Sequence, residues 1–302
     1  MKIIELSDHV GDKIRELEQK REDAHLASLA EWNKRVAGID SFNRRRRVRV
    51  ARAWRERRRL AWFFLGLGRV LAGEKSYPVR QVMASPDREE RIWREGQAGE
   101  QRVVECLARQ FDDRWTLLQG YHNPLGEIDQ ILVGPGGIHA IEVKYKNGLV
   151  NCSGDRWSVD RFDNYGNCVE RNVPFRDNGG RSPARQLSEP CRVLSGYLSK
   201  PVPDVRIHRH VVLSHTSSRV GNLKDVTIDS VSTIGDRRFP ARLFNDAEVL
   251  DDATASKVVG LIEKSHKRAK KLKQGPRGRI MPADRRNGGQ SSRRGKSVAA
   301  RA

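Results

Sequence analysis

Two hydrophobic rhythms divide this chain. From Trp115 to Val159 apolar residues alternate or form short blocks set off by Gly, Pro, Asn and Asp, which predicts strands. On either side they recur every three or four positions, which predicts helices. Within residues 1–60, Val10, Ile14 and Leu17 form one helical stripe, and Leu29, Trp32, Val36 and Ile39 form another. A helix from about Gln97 to Phe111 carries Val103, Val104, Leu107 and Phe111 on one face. Strands are expected at Trp115–Tyr121, at Ile128–Val133, at Ile138–Lys144, and over 148–159 with a turn at Ser153-Gly154-Asp155. Residues 160–180 are polar and rich in Asn, Asp and Gly, and read as a loop. A helix beginning at Ser182 or Pro183 places Leu187, Cys191, Leu194 and Leu198 together, and Pro190 inside it predicts a kink. Val205–Leu213 alternates as a half-buried strand with His208 and His210 facing outward. Val226–Ile234 is a further strand candidate, Ala253–Lys273 a terminal helix, and disorder is expected from Gln274 onward.

The pair of strands around Gly134-Pro135-Gly136-Gly137 carries the most information. A symmetric turn pairs Gly134 with Gly137, and the same register sets Asp129 directly opposite Glu142. Their Cβ atoms would then lie on the order of 5 Å apart on one face. Lys144, two residues beyond Glu142, shares that face. Two carboxylates held so close repel unless a cation lies between them, which points to a metal. A one-residue slip would send Glu142 to the other face and remove the site. Glu100 falls on the apolar stripe of the preceding helix, and a carboxylate facing a core needs a cation, a metal or a donor network. Its alternative role is an acid in the first helical turn, favoured by the helix dipole.

Charge sorts the chain into three parts. Residues 1–90 hold 21 Lys and Arg against 14 Asp and Glu, residues 91–264 hold 24 against 23, and residues 265–302 hold 13 against 1. The expected organisation is a basic helical extension and linker over 1–90, a globular domain over 91–264, and a disordered basic tail over 265–302. Basic flanks of this kind suit phosphate polyanions or an anionic membrane. Arg44, Arg45, Arg46 and Arg47 open a run of ten arginines ending at Arg59, and Lys270 and Lys271 stand in the basic C-terminal part. These six are the candidate nucleic-acid contacts. The run from Trp62 to Leu67 is too short to span a bilayer, which needs about 20 apolar residues. It reads as a helix packing its aromatic end on the domain, with a membrane-interface role as the alternative. Ser76–Pro86 reads as a linker. The four cysteines show no CxxC spacing, and the N-terminus has no secretory pattern, so a cytoplasmic setting is expected.

Gly99-Glu100, Glu127-Ile128-Asp129, Gly134-Pro135-Gly136-Gly137 and Ile141-Glu142-Val143-Lys144, with Gly148 beyond, resemble the nuclease-related (NERD) domain. That family is similar to the PD-(D/E)xK nucleases, and the resemblance covers about residues 94–215. Pro183 and Gln186 resemble the family's proline and glutamine on the following helix. Pro190 departs from the family pattern. The resemblance implies an α/β fold of restriction-endonuclease type, with a mixed central sheet flanked by helices. It also implies Mg²⁺ or Mn²⁺ on Asp129, Glu142 and the Val143 carbonyl, with Glu100 a ligand directly or through water. Lys144 would orient the attacking water, and Gln186 would position water or phosphate. The implied reaction is hydrolysis of a nucleic-acid phosphodiester, with DNA the first choice of substrate and a homodimer one assembly the superfamily allows. Two other classes stay open: a non-catalytic nucleic-acid-binding protein on a degenerate nuclease fold, and a membrane-surface protein.

Overall fold

Strand β4 (Gly137–Lys144) is buried over seven of its eight residues, because it lies inside a six-stranded sheet with helices on both faces. The computed structural model of the chain describes residues 1–72, 75–203, 205–236, 239–241 and 250–274. The other strands of this sheet are β1 (Lys2–Glu5), β2 (Thr116–Asn123), β3 (Gly126–Gly134), β8 (Ile207–Leu213) and β10 (Ser230–Thr233). They run in the order β1-β2-β3-β4-β8-β10. The pairs β2–β3 and β3–β4 are antiparallel, and β1–β2, β4–β8 and β8–β10 are parallel. A second sheet holds β5 (Gly148–Ser153), β6 (Arg156–Phe162), β7 (Cys168–Pro174) and β9 (Ser218–Lys224), ordered β7-β6-β5-β9. The expected mixed α/β architecture is what the chain adopts.

One face of the main sheet is covered by helix α3 (Arg88–Ala108), whose Val103, Val104 and Leu107 pack on Leu117, Leu132 and Ile141. The other face is covered by α4 (Pro183–Leu198) and α5 (Asp252–Gln274), through Leu187, Leu194, Val258 and Ile262 against Leu118, Ile131 and Ile138. Helix α3 begins nine residues before the expected Gln97. Asp87 caps it by accepting the Glu90 N–H at 2.8 Å, and Glu89 and Glu90 complement the dipole of its first turn. Ser182 caps α4 in the same way, with Pro183 at a position where no N–H is needed. Helix α4 continues through Pro190.

Helix α1 (His9–Arg55) is one continuous element of 47 residues, where the stripes suggested shorter pieces. At 1.5 Å per residue it is about 70 Å long. Glu90, buried on α3, takes Arg94 at 2.8 Å and Arg21 of α1 at 3.3 Å, which ties α1 to α3. Segment 75–87 lies back along α1: the Trp32 indole donates to the Pro78 carbonyl at 2.8 Å, and Ser28 bonds Gln81 at 2.7 Å. The expected linker is therefore seated against the helix.

Several expectations need correction. Residues 2–5 form β1, parallel to β2, so the first residues belong to the main sheet and not to a helical extension. Residues 168–174 are strand β7 inside the expected loop, and 218–224 add β9. His208 and His210 are buried, not outward, because β8 lies between two parallel partners with both faces covered. The first ten residues of the expected tail continue α5, where His266 and Ala269 are buried. Residues 275–302 lie outside the described residues. Helix α2 (Arg59–Ala72) packs on α1 and not with its aromatic end on the domain. No helix among the described residues is long and apolar enough to cross a membrane.

Candidate active site

The hairpin has the expected register: Gly134 pairs with Gly137, Val133 with Ile138 and Gln130 with Ile141. The ladder stops there, one pair short of Asp129 and Glu142. Across Asp129 the Val143 N–H is taken by a side chain, donating to Asp129 Oδ2 at 2.7 Å. The β2–β3 ladder is interrupted at the same level. It is regular from Thr116 to Gln119 and resumes at Tyr121, skipping Gly120 opposite Asp129. Gly120 has φ of 67°, and a Cβ there would stand 2.1 Å from the Ser7 carbonyl oxygen. The break is therefore built around glycine, and the Ser7 hydroxyl donates to the Gly120 carbonyl at 2.6 Å. A strand residue directs its N–H and C=O to the same side, so the Val143 carbonyl also faces this unpaired edge.

Lys144 Nζ lies 2.6 Å from Glu142 Oε1 and donates to Gln186 Oε1 at 2.9 Å. The Gln186 amide is fixed from behind, donating to the Arg181 carbonyl at 3.0 Å. Five of the expected site residues, Asp129 from β3, Glu142, Val143 and Lys144 from β4 and Gln186 from α4, are thus brought together. Glu100 arrives from the opposite layer, on α3. Gly99 allows that approach, since a Cβ there would meet Ser214 Oγ at 2.4 Å and the Tyr145 side chain at 3.3 Å. Gln130 fixes the helix from the sheet, donating to the Glu100 carbonyl at 3.1 Å. Glu100, Asp129, Glu142, Lys144 and Gln186 all line one cavity of about 910 Å³.

The carboxyls resist ionisation. Desolvation, then the negative charges of Asp129, Glu127 and Glu142, push Glu100 up to about 9. Burial, then Asp129, raises Glu142. Asp129 is raised by burial, opposed by the Lys144 charge and the Val143 N–H. Lys144 is desolvated, which lowers its pKa, yet Glu142 and Asp129 together bring the net change upward. These groups make a charge-dense site with one half-buried ammonium.

The donor set fits a hard divalent cation: carboxylate oxygens, a backbone carbonyl at an unpaired edge, and open volume for water. Among the described residues no three His, Cys, Asp or Glu side chains are grouped to hold a metal together. Mg²⁺ commonly uses one or two carboxylates and keeps several waters, so a pair of carboxylates suffices.

Sequence reasoning left out part of the cavity wall. Asp8, His9 and Trp93 line it, bringing the start of α1 and the first turns of α3 to the site. The pairing of β1 with β2 places Asp8 and His9 there, with no local pattern to signal it, and the start of α3 at Arg88 places Trp93. Glu127 stood within the motif without a role, and Arg181 lines the wall beside Gln186. None of Arg44, Arg45, Arg46, Arg47, Lys270 and Lys271 lines the cavity. Arg46 is 37 residues along α1 from His9, about 55 Å at helical rise.

The chain is a mixed α/β protein whose sheet, between helical layers, carries an Asp/Glu/Lys hairpin faced by an acid from the preceding helix. Residues 95–214 match the family model of the nuclease-related domain (NERD), and placement in the PD-(D/E)xK superfamily is consistent with that family. No curated protein and no solved structure matches the chain.

Proposed function

We propose that this protein is a divalent-metal-dependent nuclease that hydrolyses nucleic-acid phosphodiesters, with DNA as the substrate of first choice. The observation that carries this reading is the Lys144 ammonium, clamped between Glu142 and Gln186 beside Asp129 in a water-accessible cavity. In the reaction an oxygen of water forms a bond to phosphorus and a P–O ester bond breaks. The water's protons end on solvent and on the departing oxygen.

With two of its three N–H groups held by Glu142 and Gln186, Lys144 has one left to orient the attacking water, and its charge stabilises the charge that grows on the phosphoryl group. Glu142 and Asp129 keep it protonated despite partial desolvation. Gln186 acts as a positioning residue: its amide is committed to Lys144 on one side and to the Arg181 carbonyl on the other. Asp129, Glu142 and the Val143 carbonyl would hold Mg²⁺ or Mn²⁺, with Glu100 binding directly or through water. When bound, the metal lowers the pKa of a coordinated water and polarises a phosphoryl oxygen. The four cysteines are free, which suits a reducing compartment, and we propose that the activity is cytoplasmic.

Labelled single- and double-stranded DNA and RNA, incubated with pure protein and Mg²⁺ or Mn²⁺, test the reading. Cation-dependent cleavage that stops with chelator and with Lys144→Ala supports it. Cleavage that ignores both, or no cleavage of any substrate, overturns it.

A further inference from the structure

Helix α2 is built the wrong way round for a helix that serves a protein core. Leu60, Phe63, Phe64 and Leu67 recur at the spacing of a single helical stripe, with Val70 one turn further, and all five are exposed. Leu60 and Val70 are 77% and 79% exposed. The side turned to α1 is the one with small residues: Ala61 and Gly66 are half-buried, and Arg46 donates to the Gly68 carbonyl at 2.8 Å. Trp62 lies against the exposed Trp54 at the end of α1, ring centroids 5.0 Å apart. The most apolar helix of the chain is therefore held on a polar stalk with its apolar stripe in solvent.

The residues leading into this stripe are arginines. Arg44–Arg59 contains ten, against the single Glu56, and Arg57, Arg58 and Arg59 directly precede Leu60. Exposed aromatic and aliphatic side chains beside dense positive charge are the two components of an interfacial membrane anchor. We propose that α2 with the arginine-rich end of α1 is a docking surface for an anionic lipid bilayer. The stripe enters the acyl boundary and the arginines take the lipid phosphates. Charge selects this occupant over a second copy of the chain, because two such surfaces would bring two arginine runs face to face. Nucleic acid would satisfy the arginines and leave Leu60, Leu67 and Val70 uncovered. At 14 residues α2 lies in the interface and does not span it. Along α1 the cavity would stand about 55 Å from that surface, clear of it.

Co-sedimentation of the full chain with sized vesicles tests this. The expected result is binding to phosphatidylcholine vesicles containing about one-third phosphatidylserine, and at least tenfold weaker binding to phosphatidylcholine alone. The double variant Phe63→Ser/Phe64→Ser, at exposed positions remote from the cavity, should lose that binding with its thermal midpoint unchanged. Arg57→Glu/Arg58→Glu should lose it too. Three results would overturn the proposal. One is no preference for anionic vesicles. Another is binding that survives Phe63→Ser/Phe64→Ser and is displaced by duplex DNA, which would make the surface a nucleic-acid site. The third is a lipid-free dimer that Phe63→Ser/Phe64→Ser converts to monomer, which would assign the stripe to a second copy.

Discussion

The Asp129 carboxylate accepts the backbone N–H of Val143 at 2.7 Å, at the level where the β3–β4 ladder has ended. The candidate site's carboxylate thus takes the place of a ladder hydrogen bond. Asp129→Asn retains an oxygen that can accept this N–H and removes the charge. The fold should hold, with a urea midpoint equal to or above wild type in metal-free buffer. Cleavage should fall about 10²–10³-fold, the scale of losing one preorganised electrostatic group. Equal cleavage by the two proteins would remove Asp129 from the site.

The raised carboxyls predict a pH signature of the metal-free protein. An acid whose folded pKa exceeds its unfolded value binds more protons in the native state. The stability it contributes is complete below the unfolded value, about 4.3 for Glu. That stability is lost as pH rises toward the folded value, about 9 for Glu100. Urea unfolding in chelator should therefore show stability declining from pH 7 to pH 9, above the range in which histidines titrate, with Mg²⁺ restoring most of the loss. Glu100→Gln should flatten the decline. A flat profile in wild type would show that neither burial nor the neighbouring carboxylates raise these acids.

Acid should also destabilise the protein, through a different group. Burial, then the neighbouring His139, lowers His210 to about 3. His139 Nδ1 lies 3.1 Å from His210 Nε2, and His210 Nδ1 lies 2.7 Å from Ser230 Oγ. The unfolded chain takes up a proton near pH 6.5 that the native ring refuses, so stability falls as pH drops below that value. His210→Gln should reduce the slope between pH 6.5 and 4. An unchanged slope would assign acid sensitivity to other groups.

Gly99 is predicted to be a structural requirement for placing Glu100. Gly99→Ala brings a methyl to 2.4 Å from Ser214 Oγ, an overpacking worth about 1–3 kcal/mol. Removing that oxygen should relieve most of the clash, so Gly99→Ala/Ser214→Ala should recover stability and activity relative to Gly99→Ala. Failure of the second change to help would show that Tyr145, at 3.3 Å, sets the limit.

The hairpin was legible because it is governed by short-range rules. Pro135 and the glycines fix a symmetric turn, and strand period then decides which face Glu142 and Lys144 occupy. The inward Glu100 was legible from helical period. What escaped depends on partners distant in sequence. β1 has four residues and is a strand only because β2 runs beside it, 114 residues away. β7 is almost wholly exposed, so no alternation marks it. His208 and His210 were assigned outward on the assumption that one sheet face meets water, which fails for a strand between parallel neighbours. The arginine run showed charge but not position, and about 55 Å of continuous helix separates it from the cavity.

The most direct measurement is single-turnover cleavage of a labelled substrate by wild type and Lys144→Ala in Mg²⁺, with substrate binding followed in parallel. The account predicts that wild type cuts, that Lys144→Ala binds comparably, and that its cleavage rate falls at least about 100-fold. Equal cleavage by both proteins, or none by wild type under any divalent cation, would contradict it.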